Sequence, residues 1–458
     1  MSRLITSISG VRGIPGDSLL PGDIVRYAEA FAGFCGAGKI VVGFDGRPSG
    51  TAVKRLVLGT LQLCGADVVD LGMVPTPTVQ MAVTDHSARG GISITASHNP
   101  SQWNGLKFLD ESGVFLNAEQ NAALFRLADN GGTTPASWNK IGTCFDDPGA
   151  IQRHIDAILG SPILDADRIR RKGFVIVVDA VNASGSFIIP QLLSSLGCVV
   201  HPIACDGSGV FPHLPEPLPE NLRELGTAVL ARNADLGLAV DPDADRLVLF
   251  TEKGDPFGEE YTIASAVDSF LSRYTGESKA TVVVNLSTTA AVDAVALKYG
   301  ALVERSPVGE INVVEKMRHM RSPIGGEGSG GVIVPAIHAG RDSLVATALV
   351  LDVLARFDGP ASAYRASLPD FWMFKSKWTM DSSDAIAAIH NVMEAFAGRP
   401  MNSDDGIRIE FEEGWVHLRA SNTEPIVRVI SESKTRDQAQ ALAEAVRRIA
   451  FGSVAEAV

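Results

Sequence analysis

Three aspartates stand at alternate positions in "DPDADR": Asp241, Asp243 and Asp245, with Arg246 directly after them. In an extended segment every second side chain points the same way. Three carboxylates on one side would repel one another unless a cation lay between them. Oxygen-only donors suit Mg²⁺ or Ca²⁺ and do not suit zinc. Most aspartate-rich stretches are solvated turns, but this one is squeezed between the apolar runs "LGLAV" and "LVLF", which favours a metal site. An EF-hand is excluded, because its sixth position needs glycine and here carries Arg246, and because the flanks read as strands.

A second stretch, "GGISITASHNPSQWNGLKF", sets Ser97 and His98 at the end of a short apolar run and stops them with Asn99-Pro100. Proline fixes its own φ and restricts its neighbour, so the turn is stiff. Across all Ser-His pairs a capping turn is the commoner reading. A Ser–His–Asp hydrolase fits poorly: the G-x-S-x-G elbow is missing, and adjacent side chains on an extended backbone diverge. "GGEGSGG" carries Glu327 and Ser329 among glycines that let backbone approach a ligand. It lacks the G-K-[ST] ending of a Walker loop, and taken alone it reads as a plain loop. "RASNTEPIVRV" offers Ser421, Asn422 and Thr423 between Arg419 and Arg428. Hydroxyls, backbone N–H groups and guanidinium forks together suit a phosphate; a turn before an edge strand is an equal reading.

The elements that must position these residues repeat. "KIVVGFDGRPSG", "GFVIVVDAVNASGS" and "ATVVVNLSTTAAV" are each an apolar run, a polar turn and then a helical pattern. That alternation predicts βαβ units and largely parallel sheets. The expected fold is α/β: three tandem α/β domains with mixed, largely parallel sheets, then a small C-terminal α+β domain around a central cleft. The boundaries are placed at residues 1–150, 151–253, 254–368 and 369–458, with a helix at 150–159 leading into the second domain. The length of 458 residues agrees, at roughly 150 residues per domain.

A net charge of −13 argues against nucleic acid and anionic lipid as partners. Five cysteines with no C-x-x-C pair fit reduced thiols in a cytoplasmic protein. No apolar run approaches the ~18 residues of a membrane span, and the amino terminus lacks the apolar core of a signal peptide.

In this order, "TASHNP", "DPDADR", "GEGSG" and "RASNTEP" resemble the four signature loops of the α-D-phosphohexomutase family, one per expected domain. "SGVRGI", "NGLKF" and "FPHLPEPLPENL" are similar to its weaker motifs, so the likeness covers the whole chain. "VGEINV" and "HAGRD" look most like a phosphoglucosamine mutase branch. Three positions depart from the pattern. Ala244 and Asn422 stand where glycine is usual; the first is a small change for a residue at negative φ, and asparagine tolerates left-handed geometry. Gly331 stands where many relatives have histidine, with His338 near enough in sequence to compensate.

The resemblance implies exchange of a phosphoryl group between the 6- and 1-positions of a hexose phosphate. Ser97 would be the phosphorylated residue, and Mg²⁺ would sit on Asp241, Asp243, Asp245 and a phosphoserine oxygen. A hexose 1,6-bisphosphate would be intermediate and activator. Arg246 would hold the transferring group, and Lys107, with His98 second, would act as general base, Lys107 being helped by nearby cations. Ser9 and Arg12 would line the cleft, Glu327, Ser329 and His338 would meet the sugar, and Arg419, Ser421, Asn422, Thr423 and Arg428 would hold the idle phosphate. The partner is a small-molecule hexose phosphate, with the chain a monomer or homodimer. A Mg²⁺-dependent sugar phosphatase and a non-catalytic binding protein are the competing classes.

Overall fold

Runs of β-branched residues become the central buried strands. "KIVVGF" forms Lys39–Phe44, "VIVVD" forms Val175–Asp179 and "TVVVN" forms Thr281–Asn285. Strands covered on both faces need no polar alternation. Each is followed by a helix laid on its sheet: Gly50–Leu63, Gly185–Ser195 and Ala291–Lys298. These features come from a computed structural model that describes residues 4–451, except 37, 132, 277 and 421–425.

The three sheets share one plan. Lys39–Phe44 lies between the parallel strands Asp67–Met73 and Gly90–Ile94. Val175–Asp179 lies likewise between Val199–Ile203 and Leu236–Val240, and Thr281–Asn285 between Leu302–Ser306 and Ile324–Glu327. The third parallel strand of each set is then joined by an antiparallel return strand: Asn104–Leu109, Leu247–Thr251 and Gly331–Ile333. The first sheet is extended at its edges by Ile5–Ser7, Gly10–Gly13 and Cys144–Asp146, which makes it evenly mixed; the other two are mostly parallel. The fourth sheet is antiparallel throughout, in the order Trp372–Thr379, Ile426–Ser433, Gly414–Ala420, Ile407–Glu410, Met401–Asn402. Helices Ser382–Ala395 and Arg436–Ala450 pack on it.

Apolar contacts weld the first three units together. One buried cluster runs from Ile155 to Leu368 across the second and third sheets, and another joins Val41 and Val79 of the first unit to Val283 and Ile333 of the third. The C-terminal unit keeps a separate cluster around Trp378, Val416 and Val446. All five cysteines are free thiols. No helix among the described residues is long and apolar enough to cross a membrane.

Candidate active site

Three loops singled out in the sequence occupy the same place in three copies of one hairpin. Ser97 lies between Gly90–Ile94 and Asn104–Leu109. The aspartate trio lies between Leu236–Val240 and Leu247–Thr251, and Ser329 between Ile324–Glu327 and Gly331–Ile333. Each hairpin opens at the carboxyl end of a parallel strand, where open α/β sheets gather their ligands.

Ser97 is buried, at 2% exposure, with a left-handed φ of 51°. Its amide donates to Thr95 Oγ1 at 2.8 Å, and its hydroxyl donates to Asp241 Oδ2 at 3.3 Å. His98 Nδ1 stands 3.3 Å from the same hydroxyl. The guanidinium of Arg246, with burial and Arg12, drives the His98 imidazolium down to about 2. His98 is therefore held in its neutral form.

Asp241, Asp243 and Asp245 are all fully buried, and one oxygen of each lies within 4.8 Å of the others. Burial, then the charges of Asp245 and Asp243, pushes the Asp241 carboxyl well above the usual range. Asp243 is held low despite burial, because Lys107 and Thr76 donate to its Oδ2 at 2.6 and 2.9 Å. Asp243 Oδ1 and Asp245 Oδ1 remain buried with no hydrogen-bond partner. Orphaned anionic oxygens in a dry pocket are costly unless a cation meets them. The donor set is all oxygen, so the residues fit a hard divalent ion.

The loop departs from expectation at Ala244, whose φ is +49°. It occupies the left-handed region where glycine is normally placed, so alanine here carries a backbone cost. Lys107 departs as well. It stands opposite Ser93 on the return strand, but its Nζ faces carboxylates, Asp243 at 2.6 Å and Asp245 at 3.7 Å, and not the cations expected beside it.

Glu327 has partners on both carboxylate oxygens. Its Oε1 accepts from Asn285 Nδ2 at 2.7 Å and Gly309 N at 3.0 Å, and its Oε2 meets Arg341 at 2.6 Å. Arg341 is a site residue that the sequence reading passed over inside "HAGRD". Its guanidinium links Glu327 to Asp245 at 2.5 Å and to Glu310 at 3.2 Å. Gly331 explains itself here: a Cβ would strike Arg341 Cδ at 2.3 Å. The space that a histidine side chain would need is filled by arginine. Glu310, quoted only within "VGEINV", is raised by burial to about 7 and reaches the first unit through Gln80 Nε2 at 3.2 Å.

His338 goes elsewhere. Its Nε2 and that of His154 both donate to Asp342 Oδ2, at 3.1 and 2.8 Å, while Asp342 Oδ1 caps helix Ser343–Arg356 through Leu344 N at 2.8 Å. This cluster is a hydrogen-bonded helix anchor one residue past Arg341. Arg12 donates to Asn99 Oδ1 at 3.2 Å, with its Nε buried and unpaired. Ser9 precedes Gly10, where a Cβ would meet Leu106 O at 2.1 Å. Arg246 Nε is 3.7 Å from Asp245 Oδ1. Ser329 is half-buried at its hairpin tip. In the C-terminal unit Arg419 pairs with Asp405 at 3.3 Å, and Arg428 stands opposite Arg419 on the next strand. Ser421, Asn422 and Thr423 lie outside the described residues.

Family models match the whole succession of units. Phosphoglucomutase/phosphomannomutase α/β/α domain I matches residues 3–134, domain II 152–254, domain III 258–371, and the C-terminal domain 376–449. The chain is 35% identical to a phosphoglucomutase/phosphomannomutase of Thermococcus kodakarensis, over 94% of its own length and 95% of the relative's. It is 34% identical to a probable phosphoglucosamine mutase of Methanopyrus kandleri, with 95% of each covered. The crystal structure of a phosphoglucomutase/phosphomannomutase family protein from Burkholderia thailandensis superposes with a TM-score of 0.85 at 26% identity, covering 98% of this chain and 99% of that one. With a serine hydroxyl, a buried aspartate trio and four matching domains in one order, the chain belongs to the phosphoglucomutase/phosphomannomutase family of α-D-phosphohexomutases and is an isomerase of that class.

Proposed function

We propose that the protein interconverts hexose 6-phosphate and hexose 1-phosphate, with glucosamine 6-phosphate as the preferred substrate. The phosphoryl group rides on Ser97. Its Oγ–P bond breaks as a P–O bond forms to the free sugar hydroxyl. The resulting hexose 1,6-bisphosphate turns over and returns its other phosphoryl group to Ser97. The single observation carrying this reading is the Ser97 hydroxyl on Asp241, beside two orphaned aspartate oxygens. Asp241, Asp243 and Asp245 would hold Mg²⁺, which when bound neutralises charge on the phosphoryl oxygens.

The chain's own residues do the positioning. Arg246 and Arg12 face the phosphoryl group from two units. Lys107 takes the sugar hydroxyl's proton as a neutral amine, which requires its pair with Asp243 to open and its ammonium to release one proton to solvent first. Ser9 and Ser329 line the sugar's path, and Glu327 acts at one remove by holding Arg341. Arg419, Arg428 and residues 421–423 grip the idle phosphate. His338 supports Asp342 and is not part of this contact set. The unit boundaries are placed after residues 150, 253 and 368. The enzyme works in the cytoplasm as a monomer or homodimer.

Phosphomannomutase or phosphoglucomutase activity is the alternative, since relatives carry both kinds of name. Relative kcat/KM on glucosamine-, glucose- and mannose-6-phosphate decides the sugar. A coupled isomerase assay run beside phosphate release separates a mutase from a phosphatase. Ser97→Ala is expected to abolish both turnover and the phosphoserine seen by peptide mass spectrometry; turnover surviving that change sinks the proposal.

A further inference from the structure

The first unit holds a network that closes on Ser97 from both sides. Arg47 follows the strand Lys39–Phe44 and is 1% exposed. A guanidinium has five N–H donors in a rigid fork, and here all five have acceptors. Nε donates to Asp45 Oδ2 at 2.9 Å. One terminal nitrogen serves Pro100 O at 2.7 Å and Trp103 O at 3.2 Å. The other serves Asn99 O at 2.8 Å and Ser97 O. Asp45 Oδ2 also accepts from Thr95 Oγ1 at 2.6 Å, and Thr95 Oγ1 accepts from the Ser97 amide at 2.8 Å. The Ser97 peptide is thus tied at its N–H through Thr95 and at its carbonyl through Arg47.

We infer that Arg47 is a positioning residue for phosphoryl transfer: by gathering the carbonyls of the Ser97–Trp103 loop it turns the Ser97 hydroxyl toward the aspartates. The inference rests on Ser97 being the phosphoryl carrier. Four carbonyls aimed at one point fix the loop's direction, and Ser97 at φ 51° sits in a region that an L-residue keeps only when its surroundings hold it there. Lysine cannot substitute, because an ammonium has three donors and no fork. The ring of Phe211 covers the guanidinium, 5.1 Å from ring centroid to Cζ, so the second unit also bears on this anchor.

The test uses the full-length enzyme primed with hexose 1,6-bisphosphate. Arg47→Lys is the main variant, because it keeps a buried charge beside Asp45. Thr95→Val cuts the other arm without changing charge. Both should lower single-turnover transfer from phosphoserine by about 10²-fold, as expected for a small misplacement of a reacting atom, with KM nearly unchanged. Amide exchange over 96–103 should quicken while the rest of the first unit keeps its protection. Millimolar guanidinium ion should restore part of the rate to Arg47→Ala. Wild-type transfer by Arg47→Lys, a rise in KM that accounts for the whole loss, or unchanged exchange over 96–103 would each overturn the inference. A dead Ser97→Ala beside a normal Arg47→Lys removes this inference alone; a live Ser97→Ala removes the serine assignment and this inference with it.

Discussion

At Ala244 a methyl group sits where the backbone asks for none. A left-handed L-residue costs roughly 1–2 kcal/mol, whereas its buried methyl contributes roughly 0.8 kcal/mol. Glycine would also add about 0.4–1 kcal/mol of unfolded-state entropy. These nearly cancel, so Ala244→Gly should change urea stability by less than about 1 kcal/mol, while Ala244→Val, branched at a positive φ, should lose more than about 2 kcal/mol. The neighbouring carboxylates set a second expectation. Mg²⁺ at 100 times its Kd should raise unfolding free energy by about 2.7 kcal/mol, read as a higher Tm; Asp241→Asn should abolish that rise, and an equal shift in the variant would place the ion elsewhere. Ser97 and the aspartates were legible because their chemistry is written in a few contiguous residues. Arg341 was not, since its partners Asp245 and Glu327 lie 96 and 14 positions away and only the fold assembles them. Arg47 was hidden for the same reason, its acceptors at Ser97 and Trp103 being 50 and 56 positions along the chain.

The hairpin after the third parallel strand carries the candidate site and is used three times with different residues at its tip. Apolar β-branched runs made the central strands readable, and the repetition of strand, turn and helix gave three domains. The return strands were less visible: "GGEGSGG" reads as a plain loop, yet Ile324–Glu327 and Gly331–Ile333 pair through Gly325, Gly326 and Glu327. Glycine there reflects close approach as well as a positive φ of 157°, since a Cβ on Gly326 would meet Gly331 O at 2.1 Å. Gly331 gives this a measurable form. Gly331→Ala must displace Arg341 at Cδ and Cγ, 2.3 and 2.9 Å from the new atom, and those carbons belong to a side chain pinned at both ends. The expected cost is about 1–3 kcal/mol of stability, with kcat falling alongside. Wild-type Tm and kcat in Gly331→Ala would show that the Arg341 bridge between Asp245 and Glu327 is dispensable.

The whole molecule is three welded units and one that docks through polar contacts. Arg408 donates to Leu286 O at 2.6 Å, Ala290 N to Glu432 Oε1 at 2.8 Å and Val308 N to Asp405 Oδ2 at 3.0 Å. Lys375 meets Glu259 and Glu260 at 2.6 and 3.1 Å. Such a junction can part without exposing a shared apolar core, which suits a unit that hinges to open and close a cleft. His417 lies in this junction, with Nδ1 2.8 Å from Ser287 Oγ and Nε2 donating to Asp405 O at 2.7 Å. Burial lowers its imidazolium to about 4, with Arg408 and Arg419 acting in the same direction against Asp405. A free histidine protonates near 6.5, so between about 6.5 and 4 the released state binds a proton that the docked state does not. The His417 contribution to docking is therefore fully present above about pH 6.5 and is lost as the pH falls toward 4. Glu260 at the same junction, raised by burial to about 7, acts in the opposite sense. Amide exchange along Gly414–Ala420 and the small-angle scattering radius should both increase across that window before the first three units unfold. His417→Gln should flatten the response; an unchanged pH dependence in that variant would assign the acid sensitivity to another group at the junction.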